Sequence, residues 1–283
     1  MIQFKRSFRE IEIPAYLYDH CWEGKAVYPA VEALAALAHV VKTDDPQAAV
    51  HNMIDAGFPR FLFLPPRTEV LAALVEITEG RAGGIIASLQ TKVKSKTGDI
   101  SRFVKHAQVT FAAATVTGFS APSLNACSKL TEDGIAVPAA LIYQELVPFG
   151  AAYHNIVGDL TVSRAGAQAR LSGGNQQSAN YLLGSPFPFD AVLHAACVWA
   201  QRFTAVVPFP IGFARRTIYH KTEKGGTYLA RLVPVAFAQE PFVFDAWIYD
   251  AAGIVYEAIQ GIQMRDVSGG RQRPPSWLQE RSS

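Results

Sequence analysis

An α+β fold built from two similar halves is what this sequence predicts, on three observations. Two helical runs rich in Ala and other apolar residues stand far apart, one from Ala30 and one from Asp190. Each is embedded among short runs that alternate apolar and polar residues. Clusters of Gly, Pro, Ser and Asp separate those runs. A spacing near 3.6 marks a helix face and a spacing of 2 marks a strand. The halves share no obvious identity, so the repeat is one of plan and not of residues.

The elements follow in chain order. "REIEIPAYL" alternates with period 2 and reads as a strand or hairpin entry within residues 1–18. Pro29 stands where a helix can begin, because its fixed φ and missing N–H suit a first turn. From Ala30 to about Lys42, Val31, Leu34, Ala38 and Val41 fall on one face, and Leu37 and Val40 widen it. So many alanines predict a helix buried on most sides, ended by "KTDDP". "RFLFLPP" reads as a strand, and "EVLAALVEITEG" fits either a helix or a strand. "GGIIASLQTKVKS" and "ISRFVKHAQVTFAAAT" read as a strand pair around the turn "SKTGD". Residues 116–138 are rich in Gly, Ser and Pro and read as a linker.

The second half repeats the plan. "GDLTVSRAGAQARLSGG" supplies strands and a turn. "FPFD" then opens a helix at Asp190, with Val192, Leu193, Ala196, Cys197 and Ala200 as its apolar stripe. "TYLARLVPVAF" and the stretch from Phe242 to Val267 give more strands, with a turn at "YDAAG". The tail from residue 269 to 283 is expected to be disordered.

Composition narrows the function. The 283 residues are 49% hydrophobic and 18% charged, enough for a substantial core in one large domain or two of about 140 residues. A net charge of +2 gives no argument for nucleic acid. Cys21, Cys127 and Cys197 are odd in number and widely spaced, which is neither a disulfide framework nor a zinc pattern. No metal is expected. "MIQFKRSFREIEIP" has no apolar signal-peptide core, and no window holds 18 uninterrupted apolar residues. A cytoplasmic setting is expected, without contact with a membrane.

Three residues carry the candidate chemistry. His20 directly precedes a Gly-bearing turn and the first helix. A His with an ordinary pKa of about 6.5 is largely neutral near pH 7 and can accept a proton. Taken alone, a lone His at a strand end is more often structural. Asp190 before an apolar-periodic run is by itself an N-cap signal, and a capping carboxylate stays charged. Only a dry setting, for which Phe187 and Phe189 are candidates, raises a carboxyl pKa enough for it to hold a proton. His194 lies four residues on, on the same helix face, where it can orient the carboxylate or simply sit satisfied in the core.

The spacing His20–Gly24–Pro29 matches an HxxxGxxxxP signature, and Asp190–His194 matches a DxxxH element opening a second helix. Together, in this order, they resemble the dehydratase domains of polyketide synthases and related fatty acid synthases. "LIYQELVPFGAAYHNIV" is similar to that family's YGPxF segment, with Gly150 kept. Phe149 stands for its Tyr, Ala151 for its Pro and Tyr153 for its Phe. "VVPFPIGFARRTIY" is similar to its LPFxW region through Pro208 and Phe209, with Ile211 for the Trp. The resemblance covers roughly residues 5–268.

It implies a double hot-dog fold, two antiparallel sheets each wrapped around a long helix. Residues 1–130 would carry the catalytic His20 and residues 138–268 the catalytic Asp190. It further implies elimination of water from a 3-hydroxyacyl thioester carried on the phosphopantetheine arm of an acyl carrier protein, with no bound cofactor. His20 would take the α-proton and Asp190 would protonate the leaving hydroxyl. His194, Tyr153, Gly150 and Pro29 would support them. The backbone N–H of Gly24 or a neighbour would hold the thioester oxygen, since glycine lets the backbone approach a ligand closely. Two basic clusters, Lys92–Lys105 and Arg215–Lys224, are candidates for receiving an acidic carrier, and a homodimer is expected. On the same fold, isomerases and product-template cyclases are the alternative, as is a non-catalytic acyl-binding scaffold.

Overall fold

The computed structural model describes residues 4–94, 101–113, 130, 134–176 and 181–279. The first half supplies β1 (Lys5–Glu12), the short hairpin β2 (Cys21–Trp22) and β3 (Lys25–Ala26), and helix α1 (Ala30–Asp44). Strands β4 (Asn52–Gly57), β5 (Val70–Glu79), β6 (Ile85–Lys94) and β7 (Ser101–Phe111) follow. The second half supplies β8 (Ile135–Pro138), a helical turn α2 (Ala139–Leu141) that widens over Ile142–Leu146, and β9 (Ile156–Ser163). It continues with β10 (Gly166–Ser172), helix α3 (Phe187–Thr204), β11 (Phe209–Ile218), β12 (Thr227–Ala236), β13 (Phe242–Tyr249) and β14 (Val255–Arg265).

Among the described residues, twelve strands form one continuous sheet in the order β1-β5-β6-β7-β4-β11-β14-β13-β12-β10-β9-β8. Every adjacent pair is antiparallel. The five strands of the first half lie on one side of the β4–β11 junction and the seven of the second half on the other. At that junction Met53 pairs with Arg216 and Ala56 with Phe213. Helix α1 packs on β5, β6 and β7, while α3 packs on β9 to β13, and the two helices touch. This is the α+β double hot-dog architecture.

The helices are buried because their sequences allow it. In α1, Leu34, Leu37, Ala38 and Val41 are fully buried, and the small alanines let the sheet curl closely around it. In α3 every residue from Phe187 to Gln201 is buried, and the indole N–H of Trp199 is satisfied by the carbonyl of Ser163 at 2.8 Å.

Three expectations change and one ambiguity resolves. "RFLFLPP" forms no strand beyond one isolated bridge, Phe63 opposite Val27; the Leu62 carbonyl accepts the Tyr28 N–H and the Leu64 N–H donates to Ala26, and Pro65 and Pro66 stop the pairing. The ambiguous "EVLAALVEITEG" is strand β5, because Ala73, Val75 and Ile77 alternate onto the face that packs in the core. The linker ends earlier than residue 138, since residues 135–138 pair with β9 as β8. Its residues 116–129 and 131–133, with Cys127 and the turn "SKTGD", lie outside the described residues. Residues 269–279 of the tail are packed and not loose. Leu278 is fully buried, its carbonyl accepts from Arg202 at 2.9 Å, and the Trp277 indole donates to Glu145 at 2.7 Å.

Beneath α3 a buried ion pair joins β11 to β14. Arg216 donates through two nitrogens to one oxygen of Glu257, each at 2.8 Å, and its guanidinium lies 4.4 Å over the Phe189 ring. No helix among the described residues is long and apolar enough to cross a membrane.

Candidate active site

A chamber of about 100 Å³ opens between the two halves. His20, Trp22, Tyr28, Ala30 and Ala33 line it from the first half, and Phe149, Asp190, Leu193, His194 and Phe209 from the second. The fold therefore brings His20, Asp190 and His194 to one space from positions far apart in sequence. The walls are mostly apolar. Such walls strengthen every electrostatic interaction within.

His20 caps the 3-10 turn Ala15–Asp19, directly before β2. Its Nδ1 lies 2.9 Å from the Val27 carbonyl. A carbonyl only accepts, so Nδ1 carries the proton and Nε2 keeps the lone pair. The β2–β3 hairpin brings Val27 back to make this contact, and Val27 N–H returns a bond of 2.8 Å to the His20 carbonyl. The ring rests on Phe149 at 4.2 Å and edge-on to Tyr153 at 5.0 Å. Burial lowers the His20 pKa from 6.5; the Asp190 charge opposes this and the His194 charge adds to it. His20 is thus held neutral at physiological pH, with a free lone pair.

The sign fixes a pH dependence. An imidazole accepts a proton only when neutral, so an activity that used His20 as its base would be lost as pH falls through its lowered pKa. The acid limb of kcat/KM is expected below pH 6.5. A limb above that value contradicts the burial argument.

Asp190 is not the N-cap. Helix α3 starts three residues earlier at Phe187, with Pro188 in its first turn, where a missing N–H costs nothing. Asp190 N–H already donates to the Pro186 carbonyl at 3.1 Å. Its side chain is buried and reaches the chamber instead of capping. His194 Nε2 lies 2.9 Å from Asp190 Oδ2, one helical turn on. That is an ion-pair distance, but the N–H is poorly aligned, and neither atom has a well-directed hydrogen bond.

The expectation of a raised Asp190 pKa is therefore corrected. Burial does push the carboxyl up, but attraction to His194 and then His20 outweighs it, and the net shift is downward. A dry setting alone does not protonate a carboxyl that has two imidazoles for neighbours.

Gly24 is also placed differently. It sits with Glu23 at the exposed tip of the β2–β3 hairpin, both residues at positive φ, 74° and 48°. That is the requirement of a two-residue hairpin turn. Gly24 does not line the chamber. Pro29 precedes α1, and Ala30, the first residue of the helix, does line the chamber. First-turn N–H groups have no acceptor inside their helix, so the Ala30 N–H is a candidate donor at the chamber wall. Gly24→Ala is expected to cost about 1 kcal/mol of stability through its positive φ and to leave kcat unchanged. A loss of kcat without loss of stability, in thermal melts and steady-state assays, would restore the oxyanion role.

Gly150 and Tyr153 are neighbours of His20 but not of the chamber space. Tyr153 is fully buried behind His20, its hydroxyl without a hydrogen-bond partner, and burial raises its pKa well above 10. It provides an aromatic wall, so the hydroxyl lost at Phe149 is not returned to the chamber from there.

Three features in or beside the chamber received no role from the sequence. Tyr143 accepts the Ile156 N–H at 2.8 Å and lies 3.5 Å from His194 Nδ1, backing that ring. It belongs to the same "LIYQELVPFG" segment as Phe149, which was the available signal. His106 lines the chamber with Nδ1 toward the Phe61 carbonyl at 3.1 Å and Nε2 toward Thr91 at 2.8 Å, so both nitrogens are engaged. Trp22, Phe61 and Phe209 cluster as an aromatic mouth, with centroids 5.0 to 5.9 Å apart. Cys197 also faces the chamber, but burial pushes its thiol up to about 12 and it stays protonated. No cluster of three metal-ligating side chains occurs among the described residues.

The chain was compared with known proteins. Residues 144–274 match the family model "Polyketide synthase dehydratase N-terminal domain". No curated protein matches. Among solved structures, the dehydratase domain from the CurF module of curacin polyketide synthase superposes with a TM-score of 0.72 at 16% identity over 94% of each chain. A trans-AT polyketide synthase dehydratase domain from Brevibacillus brevis gives 0.70 at 15% identity, over 93% of each chain. A bifunctional dehydratase-cyclase domain from ambruticin biosynthesis gives 0.66 at 12% identity, over 93% of this chain and 91% of that one. At such identities the superpositions concern fold alone, and the sequence match covers residues 144–274. Residues 144–274 thus resemble the polyketide synthase dehydratase family, and the double hot-dog fold shared with these domains runs along nearly all of the chain.

Proposed function

We propose that the protein removes water from a 3-hydroxyacyl thioester presented by an acyl carrier protein, giving a 2-enoyl thioester. One observation carries this reading: a single apolar chamber holds a neutral imidazole from the first half opposite a carboxylate–imidazole couple from the second.

His20 Nε2 takes the proton from C2. The electrons form the C2–C3 double bond as the C3–O bond breaks, while the Ala30 N–H at the start of α1 steadies charge on the thioester oxygen. The leaving hydroxyl takes a proton from the Asp190–His194 couple and departs as water. The proton on His20 then returns to that couple, so the cycle closes without any other reactant. Because Asp190 alone favours its ionised form, the donated proton belongs to the couple and not to one residue. His194 is on this account more than a support.

The carrier arrives on the first half. Lys92, Lys94, Arg102 and Lys105 are exposed along the outer part of the β6–β7 hairpin, whose inner part lines the chamber through Leu89 and Ala107. The second basic cluster is weaker than its sequence suggests, because Arg216 is buried against Glu257.

The test is to incubate the protein with 3-hydroxyacyl carrier-protein thioesters and weigh the acyl group. Loss of one water, about 18 Da, supports elimination by positioned acid and base groups. A moved double bond or a new ring at unchanged composition would favour the isomerase or cyclase reading. Carrier binding with an unaltered acyl group would favour a scaffold.

A further inference from the structure

His20 is oriented from behind as well as by Val27. The residue before it, Asp19, reaches across the molecule to residues 150–152. Its Oδ2 accepts the Ala152 N–H at 2.9 Å, and its main-chain carbonyl accepts the Gly150 N–H at 2.7 Å. The approach is as close as glycine permits. A Cβ on Gly150 would lie 2.5 Å from Asp19 Cγ. The segment so held ends in the two rings that cover His20, Phe149 on one side of Gly150 and Tyr153 on the other. Further bonds stiffen it: His154 Nε2 contacts the Phe149 carbonyl at 2.8 Å, and Asn155 donates to the Ala152 carbonyl at 2.9 Å.

We infer that Asp19 is a positioning residue for the reaction: it clamps the 149–153 segment of the second half onto the imidazole of His20, keeping that ring dry and aimed. The inference rests on the proposed role of His20 as base. The clamp explains why Gly150 is retained where the adjoining Phe149 and Ala151 depart from the family pattern. It needs the small residue for contact with Asp19, and not for contact with substrate.

The groups that face His20 are few. From α3 come Asp190 and His194, from the 149–153 segment Phe149 and Tyr153, and from the connection to α1 the Val27 carbonyl. Releasing the segment leaves the α3 charges in place and admits water to the ring. The His20 pKa then rises from its lowered value toward 6.5. Removing the Asp19 charge by itself would act in the opposite direction, so the two causes separate by sign.

The experiment is an NMR titration of the imidazole resonances of the ligand-free full chain, with steady-state assays beside it. Asp19→Ala should raise the His20 midpoint and lower kcat about 10- to 100-fold with little change in KM, as expected for misplacing a reacting group by about 1 Å. Asp19→Asn keeps an acceptor for Ala152 N–H without the charge, and should show no upward shift and recover most of kcat. Gly150→Ala drives a methyl group into the carboxylate and should resemble Asp19→Ala. It also serves if Asp19→Ala does not fold. Unchanged His20 midpoints in folded Asp19→Ala or Gly150→Ala, or Asp19→Asn behaving like Asp19→Ala, would overturn the clamp. The titration needs no substrate, so failure of the dehydratase reading would appear in the assays alone.

Discussion

His20→Ala should reduce kcat for water elimination by about 10²- to 10⁴-fold while leaving the carrier-bound substrate's affinity within a few-fold. The ring lies at the chamber wall with its Nδ1 on Val27, so its removal takes away the proton acceptor without opening a hole in either helix interface. Asp190→Asn should fall in the same range. It keeps the volume and the position in the first turn of α3 but cannot pass a proton to a leaving hydroxyl. His194→Gln is expected to lie between these variants and the wild type, since it leaves the carboxylate without its imidazole neighbour. Steady-state rates on one carrier-bound substrate check all three. Retention of full kcat by His20→Ala would remove the base from the mechanism. If the double variant were no worse than either single one, that would be expected of groups acting as a unit.

The largest effect on stability should come from the buried pair under α3. Arg216→Ala leaves the Glu257 carboxylate fully buried and unpaired, and is expected to cost about 3–5 kcal/mol. It also removes the guanidinium that lies over Phe189, next to Asp190. Replacing both partners by apolar residues, Arg216→Met with Glu257→Leu, should be far milder, because no uncompensated charge remains. Chemical denaturation of the single and double variants measures this. A single variant as stable as the double one would mean that Glu257 is neutralised in some other way.

How much of this was legible in the sequence depends on which physical signal each part left behind. The two long helices were legible because their periodicity is strong and alanine-rich. The antiparallel strands were legible where alternation survives, as in β1, β6 and β7. "RFLFLPP" misled because aromatic and branched residues that favour strands here form the chamber mouth, and two prolines deny the pairing. The tail misled because Gly, Pro and charge suggest disorder, while a single Leu278 and the Trp277 indole suffice to dock it.

In the site, the spacing singled out His20, Asp190 and His194, and the fold brings all three to the wall of one chamber. Spacing could not say that α3 begins at Phe187, which decides whether Asp190 caps or reaches the chamber. Nor could it show that Gly24 serves a hairpin turn, because glycine answers equally well for a turn and for a close approach to a ligand. The Asp190 pKa went the other way for a reason that composition hides: burial was expected, but its balance against two imidazoles is set by three-dimensional distance. Asp19, Tyr143 and His106 left no periodic signal at all. Their roles come from contacts across 133, 51 and 45 residues of chain.

The proposed role of His20 at C2 is tested by running the reaction in reverse. The wild-type protein would be given a 2-enoyl carrier-protein thioester in deuterated water, and the hydrated product examined by NMR for deuterium at C2. Elimination and hydration share one transition state, so the base that removes this proton must also deliver it. The prediction is one deuterium at C2 in the wild-type product and none above background with His20→Ala. Equal incorporation by the two proteins would contradict the account and assign the proton transfer to another group.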